Sequence, residues 1–115
     1  MTSPTQRTLQ LLRKQGAICG IVEKWNQFAR IRQDLFQFID IICLKDNAII
    51  GIQCTSGANH AARKAKILEN KIAPYWIKAG GKIWLISFSK KKIKRGGKAY
   101  KYVPRIEVIK LSTTK

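Results

Sequence analysis

Two apolar segments separated by a short polar break constrain the fold of this chain most strongly. Residues 34–44 and 48–55 are rich in Ile, Leu and Phe, a composition that is typical of strands. Asp46 and Asn47, in the break between them, are residue types that favour the centre of a tight two-residue turn. We therefore predict a β-hairpin.

The turn also fixes the register of this hairpin. With Asp46 and Asn47 at the centre of the turn, Asp40 lies directly opposite Gln53. Opposed residues share one face of an antiparallel pair, and their Cα atoms lie about 4.5–5.5 Å apart. The sequence thus predicts a carboxylate next to an amide on one face of the sheet.

Further elements follow from the apolar periodicity and from the positions of Gly and Pro. The predicted helices are a helix over residues 4–15, which begins at Ser3 and Pro4 and ends at Gly16, a helix over 60–71 capped by Asn59 or Ser56, and a short helix that begins at Pro74. The predicted strands cover residues 17–24, 82–89 and 102–111. Pro104 predicts an edge position for the last strand. The predicted fold is a single α/β domain over residues 1–115, with a mixed sheet flanked by helices.

The charge of the chain narrows its function. Of the 115 residues, 23 are Lys or Arg and 6 are Asp or Glu, which gives a formal net charge of +17. Such an excess predicts a polyanionic partner, most simply nucleic acid. Residues 1–10 lack the apolar core of a signal peptide, and no long apolar run predicts a membrane span, so we expect a cytoplasmic protein without a membrane partner.

The three cysteines, Cys19, Cys43 and Cys54, lie in apolar strand-like segments. Their number is odd and they lack a metal-binding CxxC spacing, so we predict reduced, buried thiols. Zinc is not expected, because the lone His60 does not complete a cluster with them.

The few acidic residues concentrate in the predicted three-strand region. Asp40 interrupts an apolar run, where a carboxylate is costly unless a cation or hydrogen bonds stabilise it. Magnesium prefers hard oxygen ligands, and the side chains of Glu23, Asp40 and Gln53 with the carbonyl of Cys54 would supply them. Asp34 is expected to support this site indirectly or to pair with Arg30 or Arg32.

The same residues carry a resemblance. Glu23 comes first, Asp40 follows on the first strand of a hairpin, Gln53-Cys54-Thr55 lies on the second strand, and a helix comes after it. In the order of these residues the chain resembles the PD-(D/E)XK nucleases. The likeness is greatest to small Holliday-junction-resolvase-like and phage-type members. It implies a restriction-endonuclease-like core, in the order αβββαβ with a C-terminal edge strand. It also implies cleavage of DNA, including branched DNA, by a homodimer that uses Mg²⁺ or Mn²⁺.

The resemblance assigns each residue a position in the motif of that family. Asp40 matches the Asp, Gln53 matches the second acid, Thr55 matches the Lys, and Glu23 matches the additional acid of resolvase-type sites. Gln53 is neutral and Thr55 has no ammonium group, so another cation is needed beside the attacking water. Lys66 is the predicted substitute, with Arg63 and Lys24 as alternatives. The competing hypothesis is a nucleic-acid-binding protein with a degenerate nuclease fold and no catalysis.

Residues 90–101 contain seven cations and no acid. We predict a basic loop that follows a phosphate backbone, with Tyr100 or Tyr102 stacking on a base. The predicted nucleic-acid-binding residues are Arg30, Arg32, Arg63, Lys64, Lys90, Lys91, Lys92, Lys94, Arg95, Lys98 and Lys101. Trp76 and Trp84 are expected in the core.

Overall fold

The computed structural model describes residues 2–111 and has an α/β architecture. Within this range the elements are α1 (Pro4–Lys14), β1 (Ile18–Ile21), β2 (Lys24–Asn26), β3 (Ile31–Gln33), β4 (Ile41–Lys45), β5 (Ala48–Ser56), α2 (His60–Glu69), α3 (Ala73–Lys78), β6 (Lys82–Lys92) and β7 (Tyr100–Ile109), with a 3-10 turn at Gly57–Asn59. A five-stranded mixed sheet has the order β1-β4-β5-β6-β7, and β2 and β3 form a separate two-stranded ribbon.

The predicted hairpin and its register are confirmed. Asp46 and Asn47 both have positive φ, 53° and 61°, as a two-residue turn that matches the twist of the flanking strands requires. The β4–β5 pairs follow the predicted register. Beyond the last pair, Asp40 comes to lie beside Gln53, whose Nε2 donates to Asp40 Oδ2 over 2.8 Å.

Helix α1 begins and ends as predicted. The Ser3 Oγ accepts a hydrogen bond from the Gln6 N–H over 3.2 Å, and Gly16 follows the helix with a φ of +88°, a conformation that favours glycine. Leu9 and Leu12 are buried against the sheet. One face of the helix is therefore apolar enough to hold it there.

The sheet is covered on both faces by separate apolar clusters. Helix α1 covers one face, and α2 and α3 cover the other. The first cluster consists of Leu9, Leu12, Ala17, Ile41, Cys43, Ile50, Ile52, Cys54, Ile86 and Phe88. The second consists of Phe38, Ile39, Ile67, Ala73, Ile83, Leu85 and Ile109. Trp84 packs against the first and Trp76 against the second, each half-buried.

The element order differs from the prediction between β1 and β4. The predicted first strand over residues 17–24 ends at Ile21, and the ribbon of β2 and β3 follows it. The predicted strand over residues 34–44 begins only at Ile41. Residues 34–40 instead make a tight turn, with positive φ at Phe36 and Gln37, so their apolar composition reflects burial of Phe38 and Ile39 rather than strand pairing.

The region predicted as a basic loop is largely a β-hairpin. Strands β6 and β7 pair from Ile83 opposite Ile109 to Lys92 opposite Tyr100, and β7 is one of the two edge strands of the five-stranded sheet. Only residues 93–99 lie outside the two strands. Because alternation of apolar residues stops where both faces of a strand become solvated, the sequence pattern did not reveal this extension.

The cap predicted for α2 is wrong. Neither the Ser56 nor the Asn59 side chain makes a cap hydrogen bond, because a 3-10 turn leads directly into the helix. At α3, Asn70 Oδ1 accepts hydrogen bonds from the N–H groups of Ile72 and Ala73, 2.8 and 2.9 Å long. None of the helices within residues 2–111 is long and apolar enough to cross a membrane.

The prediction of three reduced thiols is wrong for two of them. Cys19 and Cys43 form a disulfide, because the β1–β4 register sets them directly opposite each other with a Cα–Cα distance of 4.3 Å. Cys54 is free and buried, as predicted. Burial raises the pKa of its thiol to about 12, so the group stays neutral.

Candidate metal centre and nucleic-acid interface

Three carboxylates converge near the start of β4. Glu23, Asp34 and Asp40 each offer a carboxylate oxygen, and these oxygens lie within 4.8 Å of one another. Glu23 follows β1, while Asp34 follows β3 and Asp40 precedes β4. Half of the six acidic residues of the chain thus meet at one point.

The turn over residues 34–40 brings Asp34 to Asp40. Leu35 and Ile39 bridge as an isolated antiparallel pair, and between them Phe36 and Gln37 have φ of 54° and 70°. A bulky residue at positive φ is strained and persists only where its surroundings hold it. Asn70 contributes, since its Nδ2 donates to the Phe36 carbonyl oxygen over 2.9 Å.

Asp40 is the most buried of the three acids, at 4% exposure. Its Oδ2 accepts hydrogen bonds from Gln53 Nε2 and from the backbone N–H of Cys54, both 2.8 Å long. Burial, reinforced by a hydrogen bond and the negative charge of Asp34 and by the charge of Glu23, raises the pKa of Asp40 to about 8, although the Cys54 N–H acts in the opposite direction. The metal-free site therefore favours a protonated Asp40 at neutral pH.

The Gln53 side chain contacts two of the acids through its amide nitrogen, and its amide oxygen has no hydrogen-bond partner in the described part of the chain. Its Nε2 also reaches Asp34 Oδ2 at 3.3 Å. Its Oε1 is buried and has no hydrogen-bond partner in the part of the chain that the structure describes, which is costly for an amide oxygen. Rotation of the amide by 180° would exchange the two atoms and turn the oxygen toward the carboxylates.

The donor set therefore fits a hard divalent cation. Carboxylate and amide oxygens are what Mg²⁺ and Mn²⁺ prefer. A positive ion would offset the burial and the neighbouring negative charges that raise the pKa of Asp40. With the Gln53 amide rotated, the amide oxygen would be a further ligand to the ion.

The acids line an open cleft of about 640 Å³ that also contains cations. Arg63 and Lys66, from the first turns of α2, lie on its wall, and so does Arg32 of β3. Arg32 pairs with Glu23 over 3.0 Å. A phosphate that entered this cleft would meet cations and, with a metal bound, the metal itself.

The remaining site residues from the sequence fall into two groups. Cys54 lines the cleft and its N–H holds Asp40, while its carbonyl as a metal ligand stays a prediction. Thr55 is buried at 5% exposure and does not belong to the residues that line the cleft. Lys24, the second alternative to Lys66, is exposed on β2.

All of the predicted nucleic-acid-binding cations except Lys64 lie on three surfaces. Arg63 lines the cleft, and Arg30 and Arg32 belong to the β2–β3 ribbon and its turn. Lys64 points elsewhere, since its Nζ contacts Glu107 Oε2 over 2.6 Å. The third surface, which we call the basic arm, is the distal β6–β7 hairpin, residues 90–101, and its seven cations are all exposed.

Tyr100 in the basic arm and Tyr102 next to it each contact a cation. The Lys90 ammonium lies 4.5 Å from the Tyr100 ring centre, and the Arg7 guanidinium lies 3.6 Å from that of Tyr102. Both tyrosines stay partly exposed. Stacking of either ring on a base stays a prediction.

The sequence predicted an indirect or ion-pairing role for Asp34, and not that its carboxylate would lie beside those of Glu23 and Asp40. In a regular strand, the rise over six residues would put the Asp34 carboxylate too far from that of Asp40 for both to bind one ion. The structure pairs Arg32 with Glu23 instead and brings Asp34 into the carboxylate cluster. The signal in the sequence was the rarity of acids in a chain with 23 cations.

A second buried polar network was not predicted. His60 Nδ1 lies 2.6 Å from Ser87 Oγ, and its Nε2 lies 2.8 Å from Glu107 Oε1. Ser87 is 1% exposed and His60 3%, so no substrate reaches the hydroxyl. The network ties α2 to β6 and β7, and it thereby positions the helix that carries Arg63 and Lys66.

Comparison of the chain with models of known protein families, with curated proteins and with solved structures found no match.

Proposed function

We propose that this protein is a metal-dependent nuclease that hydrolyses phosphodiester bonds of DNA, including branched DNA. The observation that carries the proposal is the convergence of three carboxylate oxygens within 4.8 Å in a chain with a net charge of +17. Binding a polyanion reduces the repulsion between the many cations of such a chain. Carboxylates that lie close together among these cations are suited to bind a metal ion. The resemblance of the sequence to PD-(D/E)XK nucleases, and with it a restriction-endonuclease-like core and a homodimer, is part of this proposal.

Glu23, Asp34, Asp40 and the amide oxygen of Gln53 would hold Mg²⁺ or Mn²⁺. The bound ion would neutralise charge on the phosphodiester and lower the pKa of a water molecule, so that hydroxide is available for attack. The backbone N–H of Cys54 fixes the Asp40 carboxylate, and Arg32 fixes that of Glu23.

The cations of the cleft would act on the substrate. Arg63 and Lys66 replace the ammonium group that Thr55 lacks, and each can contact the phosphate and stabilise the negative charge that develops during attack. Both side chains come from one face of α2, three residues apart, so they lie next to each other on the helix. The basic arm would hold the flanking phosphates without reading sequence.

The test is cleavage of linear duplex, single-stranded and branched DNA with Mg²⁺, Mn²⁺ or EDTA. We expect cleavage with either metal, none with EDTA, and a loss of at least about a hundredfold for Asp40→Asn. Asp46→Asn is the matched control, because Asp46 lies in the exposed turn at the opposite end of β4. It should cleave like the wild type.

Absence of metal-dependent cleavage for all three substrates would refute catalysis. Cleavage that Asp40→Asn and Asp46→Asn affect equally would refute this site. If Arg63→Ala and Lys66→Ala, singly and together, leave the rate unchanged, the proposed substitution for the missing lysine is wrong.

A second candidate is a nucleic-acid-binding protein without catalysis. The neutral Gln53 and the buried Thr55 favour this candidate, because PD-(D/E)XK nucleases have an acid and a lysine at the matching positions. Binding then depends on the basic arm and the cleft cations alone. Tight, salt-sensitive DNA binding without cleavage under any metal condition would support this candidate.

A further inference from the structure

The β2–β3 ribbon presents an aromatic side chain to solvent. Phe28, in the turn between the strands, is 94% exposed, which is the highest value for any large apolar side chain within residues 2–111. Trp25 on β2 is 61% exposed. Exposed apolar groups that cluster on one small element indicate a contact surface.

The turn holds Phe28 in a defined position. Asn26 Oδ1 accepts hydrogen bonds from the backbone N–H groups of Phe28 and Ala29, both 3.0 Å long. Arg30 closes the turn at a φ of 56°. The ring is therefore displayed by an ordered backbone, which lowers the entropy lost when it binds.

The charges around the ring select the partner. Residues 24–33 contain three cations and no acid, so the ribbon is attracted to a polyanion and repels a basic partner. Nucleic acid combines phosphates with flat apolar bases, and the ribbon combines cations with exposed rings.

The base of the ribbon forms part of the cleft. Ile31, Arg32 and Gln33 of β3 line the same cavity as the three acids. Glu23 and Asp34 flank the base of the ribbon, three to four residues from its turn. A strand rises about 3.3 Å per residue, so the turn lies about 10–13 Å from these two acids. This distance equals about three to four nucleotides along one strand.

We propose that Phe28 inserts between neighbouring bases of nucleic acid held at the cleft and unstacks them about three to four nucleotides from the phosphate at the acids. This inference rests on the proposed nucleic-acid function. It adds a substrate preference: nucleic acid whose bases are already unpaired or easily unstacked binds best, because less stacking energy is lost on insertion.

The experiment uses a set of short DNA oligonucleotides, single-stranded and duplex, each with one 2-aminopurine, in EDTA so that nothing is cleaved. The wild type should increase 2-aminopurine fluorescence at one or two adjacent positions. Phe28→Ala should lose this increase and bind single strands about tenfold more weakly, the size of effect expected when a stacking ring is removed. Tyr75→Ala is the matched control, since Tyr75 is an exposed aromatic residue on α3 that does not line the cleft.

The outcomes separate this inference from the proposed function. If DNA binds and the fluorescence of every position is the same with wild type and Phe28→Ala, the ribbon inference is wrong and DNA binding stands. If no DNA binds, both are wrong. If Phe28→Ala weakens binding to anionic phospholipid vesicles and leaves DNA binding intact, the ring serves a membrane surface and the inference is overturned.

Discussion

Replacing Asp40 by asparagine should make the metal-free protein more stable while it removes the metal site. Asp40 is 4% exposed and adjoins two further carboxylates. An asparagine of the same shape can still accept the Cys54 N–H bond through Oδ1, and its NH₂ can donate to Asp34. The substitution therefore removes a crowded negative charge without leaving a cavity.

The magnitude follows from the pKa of Asp40, which rises from 3.8 to about 8. Since one pKa unit corresponds to about 1.4 kcal/mol, the ionised form is disfavoured by up to about 6 kcal/mol in the folded state. Water in the open cleft and small movements of Asp34 screen part of this, so we expect a gain of about 2–4 kcal/mol above pH 8.

The sign depends on pH. Below about pH 4 the Asp40 carboxyl is protonated in both folded and unfolded chains and contributes nothing to the pH dependence. Between about pH 4 and 8 the unfolded chain releases the proton while the folded chain keeps it, so the wild type loses stability as the pH rises. The asparagine side chain of the Asp40→Asn variant does not titrate, so the advantage of the variant should grow through this range and level off above pH 8.

The assay is urea unfolding in EDTA at pH 4, 6, 8 and 9, followed by tryptophan fluorescence. Asp46→Asn is again the control and should be about as stable as the wild type, because Asp46 is exposed. Adding Mn²⁺ at pH 8 should stabilise the wild type, by about 2.7 kcal/mol at a hundred times its dissociation constant, and leave Asp40→Asn unchanged. An Asp40→Asn protein that is no more stable than the wild type at pH 8, or a difference that does not vary with pH, would refute this account of the site.

Three further predictions concern metal, thiols and salt. The affinity for Mn²⁺, measured by calorimetry, should rise about tenfold per pH unit from pH 6 to 8 and then level off, because Asp40 must release its proton; a flat profile would contradict its raised pKa. Alkylation in denaturant should label one thiol, Cys54, without reductant and three with it, as mass spectrometry would record; three labels without reductant would exclude the disulfide. Changing Lys91, Lys92 and Lys94 to Gln should lower the slope of log affinity for DNA against log salt by about 2–3, and an unchanged slope would remove the basic arm from the interface.

The sequence predicted the parts of the fold that depend on neighbours along the chain. The turn at Asp46 and Asn47 set the β4–β5 register, because a two-residue turn permits one pairing and the alternation of side chains permits one face. Ser3 and Gly16 likewise marked the ends of α1 through local hydrogen bonding and a left-handed backbone. The pairing of Asp40 with Gln53 followed from these rules alone.

Contacts between distant segments could not be predicted in this way. The apolar residues before β4 satisfied a strand pattern, yet Phe38 and Ile39 are buried by a turn. The Cys19–Cys43 bond depends on β1 lying beside β4, which no local pattern specifies. The long β6–β7 arm was missed since its distal residues are solvated on both faces.

For the candidate site, the charge, the scarcity of acids and the neighbourhood of Asp40 and Gln53 were already evident from the order of the residues. The tertiary structure was needed to bring Asp34 to Glu23 and Asp40, and to put Arg63 and Lys66 in their cleft. This is because the turn strained at Phe36 is held by Asn70, which lies 34 residues further along the chain. A local backbone conformation that needs such a distant partner cannot be inferred from the residues that adopt it.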